Sequence, residues 1–212
     1  MNKMRERAQA QFPIVLLTLI SIIQALALEL LWGKLTGGDF LFAFSLEALI
    51  GWAMVSVVLL GILQIWVMYS TLVIGFTWRP SLRDSIVPFI LGIQEFLLVE
   101  LLHPDSIVLW LLALASIFIV ANWIAHISYR RARHDESNAA FFVNLAPATW
   151  RDFRLVAILI FLFFVFALAI FMLDRPVGLM LAAVIYSNIA LLIPIFSSRR
   201  LWARIMDLED CS

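Results

Sequence analysis

The stretch Asp84-Ser85-Ile86-Val87-Pro88-Phe89-Ile90-Leu91-Gly92-Ile93-Gln94-Glu95-Phe96-Leu97-Leu98-Val99-Glu100-Leu101-Leu102-His103 decides how this chain is read. As a helix it is long enough to cross a hydrocarbon core of about 30 Å. Yet it carries Gln94, Glu95 and Glu100. A carboxylate inside hydrocarbon costs several kcal/mol unless it is paired, neutralised or hydrated. Some other part of the fold must therefore answer Glu95.

The rest of the chain supports a bilayer as its solvent. Of 212 residues, 64% are hydrophobic, and the mean hydropathy is +1.00. Soluble domains are about half apolar, and a soluble chain this greasy would expose large adhesive patches. The 15 basic and 15 acidic residues cancel, which leaves no net positive charge for nucleic acid. Cys211 is the only cysteine, so disulfide frameworks and cysteine-based metal sites are excluded. The three His form no HExxH or HxxxH pair, and no GxSxG or phosphate-binding glycine loop occurs. The expectation is a non-enzyme without metal or cofactor. No K⁺-filter-like TVGYG and no retinal-type Lys in the last span is present either.

Outward from the opening stretch, the apolar runs predict an all-α integral membrane bundle of six transmembrane helices. The spans cover about 12–32, 44–78, 84–102, 106–129, 154–173 and 177–197. Residues 1–11 form a basic N-terminal segment, and residues 199–212 an amphipathic tail with a short interfacial helix. Ala25-Leu26-Ala27 has the small-residue pattern of a signal cleavage site. The apolar run continues past it, so the first span reads as an uncleaved anchor. Residues 33–39 read as a turn-rich loop. The run 40–78 would be roughly 58 Å long as one helix, so an interfacial segment around Phe40–Glu47 is expected before the second span. Gly61, Gln64, Met68, Thr71 and Gly75 recur at helical spacing and predict a helix-packing face. The fifth span, dense in Phe and without a polar residue, should be the outermost. Gly178/Ala182 and Ala183/Ser187 are small-residue pairs suited to helix contacts. Pro194 should kink or end the sixth span.

Arg and Lys gather at the N-terminus and around 79–83, 130–154 and 199–204, whereas the alternate loops hold Lys34 and Arg175. The positive-inside rule places both termini in the cytoplasm, in the cell's cytoplasmic (inner) membrane. A weak repeat pairs Gln24–Glu29 with Glu95–Glu100, which fits three helical hairpins, although short matches arise readily from an apolar alphabet.

The topology sorts the candidate polar network by depth. Glu29, Glu47 and Glu100 fall near the outer face. Glu95, beside Gln94, is deepest. Gln24 shares the outer half of the first span. Gln64, Asn122, His126 and Asn188 lie central or inward. No Lys or Arg lies within a span, so Glu95 either hydrogen-bonds Gln24, Gln64 or Asn188 in neutral form, or stays ionised beside a cation or water. The leading functional expectation is a small transport protein, a channel or proton-linked carrier for a cation or small solute. Its partners would be the lipid bilayer and a second copy or a membrane subunit. The alternative is a non-catalytic accessory or scaffold subunit whose buried polar groups fix helix register. An intramembrane enzyme using Glu95, Glu100 and His103 is the weakest reading, since no nucleophile is activated.

Overall fold

The computed structural model describes residues 3–77, 82–143, 149 and 152–209. Among them are seven α-helices, three short 3-10 turns and no strand. The helices are α1 (Lys3–Gly37), α2 (Leu46–Gly75), α3 (Leu82–Glu100), α4 (Ile107–Ala132), α5 (Ala139–Phe142), α6 (Arg154–Met172) and α7 (Val177–Glu209). Five segments are long and apolar enough to cross a membrane: Ala10–Gly37, Leu46–Gly75, Pro104–Ala132, Arg154–Met172 and Val177–Arg199. A multi-pass membrane protein has this character. The opening stretch forms α3, with 19 residues. It is less apolar than those five because Arg83, Asp84, Glu95 and Glu100 all fall within it.

The long helices close into a ring in the order α1, α2, α7, α6, α4, α3, with α3 returning to α1. The most extensive interfaces, α2 with α7 and α4 with α6, join elements distant in sequence rather than hairpin partners. On α6 the buried residues Leu159, Phe163, Ala167 and Ile170 form one stripe. The rest of that helix is exposed or half-buried, as expected for an outer member facing lipid. On α7, Ala183 and Ser187 are fully buried, whereas Gly178 and Ala182 are exposed. Only one of the two small-residue pairs therefore makes a helix contact.

Three boundaries differ from the sequence expectation. The loop expected at 33–39 is helical through Gly37. The Thr36 hydroxyl donates to the Trp32 and Gly33 carbonyls, and Lys34 Nζ reaches Glu100 Oε2 at 2.7 Å, which ties this last turn to α3. The run after Phe40 divides as expected, but at Ser45. A 3-10 turn (Asp39–Phe42) comes first, and the Ser45 hydroxyl then accepts the Ala48 N–H as an N-cap. Finally, α7 does not stop at Pro194 and continues to Glu209, so the C-terminal segment is the end of α7 rather than a separate helix. Proline removes one helical hydrogen bond, and neighbouring helices in a bundle offset that loss. The basic turn at 78–81, the loop 144–148 and Cys211 lie outside the described residues.

Contacts define two ends of the bundle. At one, Arg131 in the last turn of α4 meets Asp84 in the first turn of α3 at 2.7 Å. Each charge also complements the dipole of its own helix terminus. Beside them Asn138 acts as a clasp. Its Nδ2 donates to the Thr77 and Ala132 carbonyls at 2.7 and 2.8 Å, and its Oδ1 accepts the Thr77 N–H at 3.0 Å. Asn138→Ala should leave those backbone groups unpaired, at about 1–3 kcal/mol. The expected readout is faster hydrogen exchange at the Thr77 amide; unchanged exchange there would refute the clasp. Near α6, the Thr149 N–H and hydroxyl both donate to Asp152. The N–H first, then the hydroxyl, holds the Asp152 carboxyl below the usual carboxylate range. That contact is present at neutral pH and is lost as pH falls through the lowered value.

At the opposite end Lys34 pairs with Glu100, and Arg175 lies 3.7 Å from Asp105. The turn from α6 into α7 places Asp174 and Arg175 at φ 54° and 58°. The Arg175 N–H reaches back to the Ile170 carbonyl at 2.9 Å, as in a helix-ending motif that favours glycine. Asp174→Gly should therefore raise stability by about 0.5–1 kcal/mol. A thermal melt in detergent showing a lower midpoint would refute this.

Candidate functional site

The interior of the ring holds a cavity of about 440 Å³ walled by α2, α3, α4 and α7. This is within the range of small-molecule sites. The α2 wall is the face anticipated from sequence: Gly61, Gln64, Met68 and Thr71 all line it. The α4 wall contributes Phe118, Asn122 and Tyr129, and α7 contributes Pro194, Ser197 and Ser198. The fourth wall is α3, and its contribution includes Glu95.

Glu95 lies five residues before the end of α3, roughly 20 Å along the helix from Leu82. It is 3% exposed. Its Oε2 accepts the Nε2 of Gln24 on α1 at 3.0 Å. Its Oε1 is buried without a hydrogen-bond partner, and so is the Oε1 of Gln64 across the cavity. Neither oxygen can donate when the glutamate is ionised, so two residues of the cavity lining each carry a buried acceptor without a donor. No Lys, Arg or His is among the residues that line it.

The two directions from Glu95 differ. Towards the Asp84–Arg131 end the cavity reaches Met68 and Tyr129, which are half-buried; beside Gln64, whose Nε2 donates to Ser198 Oγ at 3.2 Å, it reaches the half-buried Ser198 and the exposed Ser197. Towards the Lys34 end, Leu102, Ile107, Trp110 and Leu111 are each at most 3% exposed and fill the interior. The interior is therefore filled on the Lys34 side of Glu95. Tyr129 also packs edge-on against Phe76, which in turn contacts Phe141 and Phe142. The Asn138 clasp thus borders the mouth of the cavity.

Of the sequence candidates, the fold brings Glu95, Gln64 and Asn122 to the cavity and sets Gln24 directly behind Glu95. The others go elsewhere. Gln94 donates to Ser116 Oγ at 3.0 Å. Asn188 donates to the Ala53 and Val184 carbonyls and so joins α7 to α2. His126 packs edge-on against Phe153. Glu29 and Glu47 are exposed. Glu100, expected near the outer face, pairs there with Lys34 from the end of α1. His103 accepts the Asp105 N–H and, with Glu100, belongs to the Lys34 end rather than to Glu95. Sequence reasoning missed Tyr129, Ser197 and Ser198. A signal was available: Leu191, Pro194 and Ser198 on α7, and Phe118, Asn122, Ala125 and Tyr129 on α4, recur at helical spacing, the same cue that identified the α2 face.

No family model, curated protein or solved structure matches this chain.

Proposed function

We propose that this is a six-span transport protein of the cytoplasmic membrane, with both termini in the cytoplasm, working as a cation- or proton-linked carrier centred on Glu95. The span that α3 adds to those five brings the count to six. Its length and its place in the ring between α1 and α4 support that role. The orientation rests on the basic loops, which fall on the Asp84–Arg131 side and leave Lys34 and Arg175 on the other.

The observation that carries the reading is a cavity that reaches a buried carboxylate and is filled beyond it on the Lys34 side. A channel needs a path on both sides of its site. A carrier exposes a mid-membrane site to one side at a time. Closure on the Lys34 side therefore favours a carrier, open in this state towards the cytoplasm. The cavity lies within one chain, so this reading needs no second copy.

A scaffold subunit is favoured by one observation, the Gln24–Glu95 hydrogen bond, which fixes the register of α1 on α3. The two readings part on flux. In proteoliposomes, Glu95→Gln should lower cation or proton flux at least tenfold. Unchanged flux would remove the carrier reading and leave the scaffold.

A further inference from the structure

We propose that the cavity takes a lipophilic amine in its ammonium form, bound by Glu95 and Gln64; this deepens the carrier reading and rests on it. Three features of the same space converge. The first is charge: a single carboxylate stands at the closed end and no basic side chain lines the walls. An anionic ligand would meet repulsion without a compensating cation, whereas an ammonium would neutralise Glu95.

The second is hydrogen-bonding polarity. Glu95 Oε1 and Gln64 Oε1 are buried acceptors without donors. A ligand that satisfies both must bring N–H groups. A protonated amine carries two or three on a single charged centre, and charge-assisted hydrogen bonds are the strong ones. An inorganic cation would satisfy the charge but would leave most of the cavity wall uncovered.

The third is size and surface. Around 440 Å³ is far more than a bare ion occupies. The walls are built mainly from side chains such as Ile62, Met68, Leu72 and Phe118. Met is adaptable to irregular shapes, and the faces of Phe118 and Tyr129 are attractive to a cation. The apolar body of the ligand would lie along these walls towards the open end, with its ammonium at Glu95.

The test is equilibrium binding to the purified full chain in detergent. The probe is 3,3-diphenylpropylamine, and the comparator is the matching neutral alcohol, 3,3-diphenylpropanol. The amine is expected to bind at least tenfold more tightly than the alcohol. Glu95→Gln should abolish that preference. Met68→Trp, which fills the cavity about one turn along α2 from Gln64, should weaken both ligands. Equal binding of amine and alcohol, or a preference that survives Glu95→Gln, overturns the assignment. Failure here is separable from failure of the carrier reading. Glu95-dependent proton or K⁺ flux without amine binding refutes the amine alone. Amine binding without any flux refutes transport and leaves the ligand class standing.

Discussion

Gly92→Val is expected to destabilise the bundle by about 1–3 kcal/mol and to break the contact between Gln24 and Glu95. A Cβ at position 92 would lie 2.6 Å from Ile23 Cγ2, a separation at which something must move. Ile23 is β-branched and its χ1 is stiff within a helix, so it cannot swing aside freely. Instead α1 and α3 must separate. Gln24 follows Ile23 directly, and Glu95 lies one turn beyond Gly92, so the 3.0 Å hydrogen bond between them stretches first. The lost glycine thus acts on the site without touching it. A melt in detergent should show a midpoint lower by roughly 2–4 °C for each kcal/mol. Ile23→Ala in the same chain should restore part of the loss, since it removes the atom that clashes. The double-mutant cycle therefore measures the close approach directly. A parent-like midpoint for Gly92→Val would mean that α1 and α3 do not pack as described.

This close approach explains what the sequence could and could not reveal. Hydropathy period and helix-breaking residues act locally, so the long helices and the outer position of α6 were legible. The packing face of α2 was legible for the same reason, and four of its five residues line the cavity. Partner choice was not legible. That Gln24, rather than Gln64 or Asn188, answers Glu95 depends on a glycine that lets two backbones approach, and the spacing of polar residues along one helix does not encode it. Lys34 was assigned to a loop, so its reach to Glu100 depended on α1 continuing one turn further. Pro194 was expected to kink or end its helix because the local rule is strong; α7 continues past it, packed against α2. Asn138 carries no motif at all, and its clasp exists only because residues 61 positions apart are brought together.

The same geometry makes an opposite and more telling result expected for Glu95→Gln: a protein that is more stable but carries no flux. Gln24 offers one amide, and only half of it is used. Its Nε2 donates to Glu95, while its own Oε1 is buried without a partner. An ionised glutamate has no proton to give to that oxygen. An amide at the same position keeps the acceptor that Gln24 already uses and adds an N–H in a region where the Oε1 atoms of Gln24 and Gln64 both lack a donor. A second hydrogen bond would then join the single one. The gain is about 1 kcal/mol for the added bond, with the charge removed from the interior besides. If fixing helix register were the whole purpose, glutamine would therefore be the better residue, and the carboxylate would be a net expense. Retaining it makes sense where its charge is used, as stability is commonly given up at working sites. Thermal melts and flux assays on one preparation of Glu95→Gln test both halves. A raised midpoint with lost flux is the carrier's signature. A lowered midpoint with parent-like flux would place Glu95 among the structural groups and return the chain to the scaffold reading.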